Sequence, residues 1–210
     1  MYVPDYFNES RPEALQALIR ARPLGVLVTL SASGLEANHI PFVFASDGGP
    51  KGSLLGHVAR QNPVWRDFGP DRTALAIFQG PSAYISPSWY PAKKEHGRVV
   101  PTWNYVVVHA HGALKVHDDP AWIRRQVDLL TNQMESVRES PWAVSDAPAD
   151  YVEQLAQGIV GIEFVIDRLA GKWKASQNHP PASRAGVIAG LEASGQPGDA
   201  EMAQIIRSYL

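Results

Sequence analysis

Cysteine is absent from the 210 residues, so neither a disulfide framework nor a thiolate metal site is available. Charge of one sign is also missing: 19 Lys and Arg stand against 21 Asp and Glu, a net charge of −2. Such a balance gives no global attraction to a nucleic-acid backbone. No apolar run approaches the roughly 20 residues a membrane span requires. The start, Met1-Tyr2-Val3-Pro4-Asp5, has neither the basic nor the apolar part of a secretory leader, so a cytoplasmic location is expected. G-x-x-x-x-G-K-[ST] and G-x-G-x-x-G loops are lacking, which argues against P-loop and Rossmann nucleotide sites. A G-x-S-x-G elbow is lacking too, and with it a serine hydrolase.

What is present centres on Val99 to His117, V-V-P-T-W-N-Y-V-V-V-H-A-H-G-A-L-K-V-H. Strand side chains alternate between faces. One parity gives an apolar face of Val106, Val108, Ala110, Leu114 and Val116. The other carries Trp103, Tyr105, His109, His111, Lys115 and His117. Large aromatics on a fully solvated face are unusual, so this second face is expected to be covered by a partner subunit, a ligand or both. The length suits a single domain, residues 1–210, with 181–210 as a helical extension.

Around this strand the pattern is mainly β with peripheral helices. Ser10-Arg11-Pro12-Glu13 fits a capping box that opens a helix to about Ala21. Gly25 to Leu30 and Glu36 to Phe44 read as a hairpin across the turn formers Ser31 to Gly34. Pro41 cannot donate to a ladder, which leaves that strand one open side where a ligand can approach. Ser53 to about Val58 is a strand giving way to a short helix through Phe68, capped by Asn62 with Pro63 first. Free amides at such a start attract anions, and Arg60 and Arg66 would add full charge there, making it the expected phosphate site. Lys172 and Lys174, sharing a parity, are the next candidates.

Thr73 to Gln79 and Ala83 to Ser86 are strand-like, with Gly80-Pro81-Ser82 as a break, and an aromatic loop, Ser86 to Pro91, follows. Asp119-Pro120 starts a helix whose stripe is Ile123, Val127, Leu130, Met134 and Val137. A helix from Pro148 to about Gln157, a strand from Ile159 to Ile166, and two C-terminal helices complete the chain. Ser183 is the expected cap of one of those helices, Gly195 its end, and Asp199 the cap of the other. His109, His111 and His117 cannot share one ion, because strand neighbours two apart stand about 7 Å apart. No metal site is expected.

An all-β core with aromatics, amides and a basic helix start has the ingredients to hold a flat aromatic phosphate such as flavin mononucleotide. Five stretches then carry a resemblance. They are M-Y-V-P-D-Y-F at Met1 to Phe7, G-H-V-A-R-Q-N-P-V-W at Gly56 to Trp65, Y-I-S-P-S-W-Y at Tyr84 to Tyr90, V-V-P-T-W-N-Y at Val99 to Tyr105, and K-A-S-Q-N at Lys174 to Asn178. In order and over nearly the whole chain, they resemble the PaiB-type FMN-binding family of negative transcriptional regulators. The resemblance implies a split β-barrel, related to that of pyridoxamine-phosphate oxidase, working as a homodimer with FMN at the subunit interface. Where that family continues S-Q-N with a basic residue, this chain has His179-Pro180-Pro181.

The candidate cofactor-binding residues are Asn38, His39, His57, Arg60, Asn62, Trp103, Asn104, Tyr105, Lys174 and Gln177. Two function classes stay open: a flavin-dependent regulatory or sensor module, and an FMN-dependent oxidoreductase acting on a small substrate. Direct DNA reading is not expected. No basic recognition helix is present, and Lys93, Lys94 and Arg98 form the only patch worth testing.

Overall fold

The computed structural model describes residues 1–32, 34–67 and 73–210. Ser33 of the expected turn and Phe68 at the end of the expected helix lie outside them. In chain order the elements are β1 (Asn8–Glu9), α1 (Pro12–Ala21), β2 (Leu24–Ser31), β3 (Gly34–Pro41), β4 (Val43–Ala45) and β5 (Ser53–Ala59). Then come α2 (Val64–Asp67), β6 (Ala74–Ile85), α3 (Ala92–Glu95), β7 (Thr102–His117) and α4 (Pro120–Glu135). The last are α5 (Ala149–Gln157), β8 (Ile159–Lys174), α6 (Pro181–Ser194) and α7 (Asp199–Arg207). The strands join in one sheet in the order β3-β2-β6-β7-β8-β5-β4, with β1 on β8. Among the described residues no helix is long and apolar enough to cross a membrane.

The chain forms two compact units. The first comprises Met1–Leu15, Gln79–Val108 and Ala170–Leu210, and the second Gln16–Phe78 and His109–Leu169. In the second, β2 and β3 pair antiparallel from Ser31↔Gly34 to Leu24↔Pro41, the hairpin expected from two β-branched runs around turn formers. β3 is an edge strand, consistent with Pro41 near its end. Leu27, Phe42, Phe78 and Phe164 are fully buried here, each worth about 1.5–3 kcal/mol of apolar transfer. Backbones approach so closely at Gly112 that an added Cβ would sit 1.9 Å from the Val165 carbonyl oxygen.

α4 begins as expected, with the Asp119 carboxylate accepting from the backbone N–H groups of Ala121 and Trp122. Its stripe is shorter than expected. Ile123 and Gln126 are the buried positions, the helix ends at Glu135, and Val137 beyond it is 88% exposed. Gln126 lies inside because His57 Nδ1 donates to its Oε1 at 2.7 Å.

In the first unit the core is built on Phe7, Ile85, Val106, Val108, Leu191, Met202 and Ile206. Two boundaries differ from the sequence reading. β6 runs unbroken through Gly80 and Pro81, since its register with β2 covers only Leu75 to Ile77 and asks no N–H of Pro81 on that side. β8 continues from Ile166 to Lys174, its lower end pairing with β1 at Gly171 and Lys172. Ser183 caps nothing: it lies buried inside α6, which opens on Pro180. Gly195 ends that helix at φ 65°, a left-handed conformation glycine adopts without cost. Gly198, rather than Asp199, is the cap of α7, and the Asp199 carboxylate accepts from the Ser194 hydroxyl.

Candidate functional site

A ligand-sized cavity lies in each unit. In the second unit about 550 Å³ is bounded by Arg60, Asp118, Ile123, Arg124, Val152 and Gln157. In the first unit about 570 Å³ is bounded by segments that the sequence singles out: Tyr6 and Phe7, Tyr90, Arg98 to Thr102, Asn104, and Lys174 to Ser183 in part. Both volumes fall in the range of small-ligand sites, roughly 300–1,000 Å³.

The first-unit cavity is built by a strand and a turn. Thr102 and Asn104 stand two apart on β7 and share a face with Val106 and Val108, so Asn104 is an amide at a core position, 1% exposed. Its Nδ2 donates to Ser176 Oγ at 2.8 Å, while its Oδ1 meets no donor among the described residues. Lys174, the last residue of β8, donates from Nζ to Thr102 Oγ1 at 2.5 Å. Burial lowers the Lys174 pKa, Tyr105 opposes that shift, and the neighbouring Lys172 adds a smaller lowering. Tyr90 is 4% exposed, stacks on His179 with ring centroids 5.1 Å apart, and its hydroxyl has no partner among the described residues. Burial raises the Tyr90 pKa and lowers that of His179, where Lys174 adds to the effect. No carboxylate is present among the described residues of this wall, which carries Lys174, Arg98, His96 and His179.

The turn that follows β8 is held in an uncommon shape. Ser176 sits at φ 61°, the left-handed region that non-glycine residues rarely enter. Gln177 fixes it from both ends, with Oε1 accepting from Ala175 N at 2.7 Å and Nε2 donating to Trp173 O at 2.6 Å. A residue in such a conformation costs about 1–3 kcal/mol and persists where its surroundings enforce it, often at functional sites.

The structure therefore gathers Asn104 and Lys174 of the expected residues into one wall and gives Gln177 a backbone-shaping task. Trp103 is 56% exposed and packs edge-on against Tyr84 at 6.1 Å. Tyr105 lies 5.4 Å from the Lys172 ammonium, whose Nζ also donates to Tyr2 O. In the second unit Asn62 joins Asn38, Nδ2 donating to Oδ1 at 2.7 Å, and caps α2 through Val64 N. His39 is exposed on β3 and His57 binds Gln126.

At the expected phosphate site by α2 both arginines have partners within the chain. Arg60 turns its guanidinium to Asp118 in a two-pronged pair, Nη2 at 2.6 Å and Nη1 at 3.1 Å, and donates to Gln157 O and Ile159 O as well. That partner lies 58 residues away in sequence, beyond the reach of local patterning. Arg66 lies over the Trp65 ring at 4.5 Å, and the Val64 amide is taken by Asn62. Thr102, Ser176, Tyr90 and His179 were absent from the expected set. The parity of Thr102 with Asn104, and of Ser176 with Lys174, was the available signal.

Residues 1–168 match the family model described as "Putative FMN-binding domain". An uncharacterized protein of Emericella nidulans is 38% identical, the match covering 99% of this chain and 96% of that one. The protease synthase and sporulation protein PAI 2 of Bacillus subtilis is 29% identical over 100% of this chain and 98% of its own. Among solved structures, an FAD and heme binding protein from Mycobacterium smegmatis superposes with a TM-score of 0.59 at 16% identity. It covers 80% of this chain and 73% of that one, a likeness of fold alone. The architecture is that of the flavin-binding split barrels, mixed α and β with a C-terminal helical segment. By the family match over most of its length, the chain belongs to the PaiB-like FMN-binding family, and FMN is its cofactor.

Proposed function

We propose that the chain is a flavin-dependent regulatory or sensor module that works as a homodimer, with residues 1–210 acting as one domain and FMN held in the first-unit cavity. The observation that carries this reading is a ligand-sized cavity whose wall holds cations and two unpartnered buried polar groups, with no carboxylate among its described residues. These residues fit the group. Arg98 and Lys174 form no ion pair among the described residues and suit an anionic ligand, while Asn104 Oδ1 and the Tyr90 hydroxyl need partners that the chain leaves out. FMN supplies one- and two-electron redox chemistry when bound; the chain supplies binding, orientation and charge.

The exposed Tyr84–Trp103 pair supports a homodimer, since specific interfaces favour aromatics and bury on the order of 1,600 Å². Any effect on transcription is indirect in this reading, because a net charge of −2 gives little phosphate neutralisation.

The test is spectroscopic. Purified protein titrated with FMN should quench flavin fluorescence with saturation at one flavin per chain. Ser183→Trp, which puts an indole at the cavity wall, should abolish the quenching while the far-ultraviolet dichroism stays unchanged. Mixing the yellow complex with NADH or NADPH should leave it oxidised; rapid bleaching with turnover on added acceptors would move the reading to an FMN-dependent oxidoreductase.

A further inference from the structure

Hydrogen-bonding capacity in the first-unit wall follows a pattern. Asn104 contributes one free acceptor, because its Nδ2 is occupied by Ser176 Oγ at 2.8 Å and its Oδ1 is unmatched. Donors line the same wall. Lys174 spends one of its three protons on Thr102 Oγ1, and Tyr90 has an unpartnered hydroxyl. Thr102 and Ser176 each receive an N–H on their hydroxyl oxygen, so their own protons remain to be donated.

A phosphate or carboxylate matches such donors but brings no hydrogen for Asn104 Oδ1. The complement of one acceptor among several donors is a cyclic imide, an N–H set between two carbonyls. The pyrimidine ring of a flavin carries one.

We propose that this wall recognises the imide edge of the flavin pyrimidine ring, with Asn104 Oδ1 accepting the imide N–H and Lys174 and Tyr90 donating to its carbonyl oxygens. Ser176 is the positioning residue. Its left-handed backbone brings Oγ to Asn104 Nδ2, which turns the amide so that its carbonyl is the end left for the ligand. The phosphate of FMN then lies away from Lys174, and Arg98, elsewhere in the wall, is its cationic partner. This inference rests on the reading that FMN occupies the first-unit cavity.

The experiment compares FMN, riboflavin and N3-methyl-FMN by fluorescence titration. Methylation removes the imide hydrogen, so N3-methyl-FMN should bind the native protein at least about tenfold more weakly than FMN, the size of one lost hydrogen bond to a buried group. Asn104→Ala should close that gap. Lys174→Gln should weaken FMN and riboflavin by the same factor. Equal affinity of the native protein for FMN and N3-methyl-FMN overturns the proposal, and that comparison needs no variant to fold. A Lys174→Gln loss confined to FMN also overturns it, by assigning Lys174 to the phosphate. Failure of the underlying reading looks different: Ser183→Trp, folded, would then bind FMN as tightly as the native chain.

Discussion

Replacing Ser176 by alanine tests whether the turn after β8 is held for the sake of Asn104. The hydroxyl accepts from Asn104 Nδ2 at 2.8 Å, and both residues are at most 2% exposed. The variant leaves a buried amide with neither end satisfied, a penalty of about 1–3 kcal/mol. Alanine inherits the left-handed backbone at φ 61° without relief. Glycine at the same position loses the same hydrogen bond yet recovers about 1 kcal/mol of conformational strain. Stability should therefore fall in the order native, Ser176→Gly, Ser176→Ala. For a chain of this length each kcal/mol moves Tm by about 2–4 °C, which differential scanning calorimetry resolves. Flavin affinity should fall with both variants, since the Asn104 amide is then free to turn. An alanine variant melting within about 1 °C of the native protein, with unchanged flavin affinity, would refute the reasoning.

Four further outcomes are expected. Arg60→Met should lower the unfolding midpoint in urea yet leave the ratio of FMN to riboflavin affinity unchanged, because the guanidinium is committed to Asp118 and two backbone carbonyls. His109, His111 and His179 have pKa values lowered by burial, so the unfolded chain binds more protons than the folded one. Stability from these groups is intact above the unfolded value of about 6.5 and declines as pH falls toward the lowered native values, which melts between pH 7.5 and 5 will show. Sedimentation should give twice the chain mass, and Trp103→Glu should shift it toward the single chain. Titration against promoter DNA at physiological salt should show only weak binding without sequence preference; sequence-specific affinity near 10⁻⁸ M, lost on neutralising Lys93, Lys94 and Arg98, would establish a direct reader.

Local signals carried over well from sequence to structure. The β2–β3 hairpin, the Asp119 cap of α4, the Asn62 cap of α2 and the glycine ending α6 each depend on residues within a few positions of one another. Side-chain parity also held in β7, where Val106, Val108, Ala110 and Leu114 are buried, although Val116, near the strand's end, is 41% exposed. What escaped detection depended on distant partners. Pro81 reads as a strand breaker until the short register of β6 with β2 is known. Gln126 reads as a surface residue until His57, 69 residues away, provides its reason for burial. Arg60 had the composition of a phosphate ligand, and only the fold reveals Asp118 beside it. That Asn104 and Lys174, which share a cavity wall, lie among dense polar and aromatic residues was legible in the sequence. The backbone conformation of Ser176 was not, since serine gives no local warning of a positive φ.

The Arg60 clasp also has a kinetic meaning. Its guanidinium ties the residue after β5 to Asp118, between β7 and α4, to the last residue of α5 and to the first of β8, through bonds spanning 58, 97 and 99 residues of sequence. Contacts of such separation form only after long loops have closed, and loop closure is paid in entropy before the contact returns anything. The clasp is therefore expected to form late in the folding of the second unit, which a φ-value near zero for Arg60→Met would show. Interactions absent from the transition state act on the rate of unfolding and leave the rate of folding nearly alone. Arg60→Met should accordingly raise the unfolding rate of the chain more than it lowers the folding rate, a matter of lifetime more than of assembly.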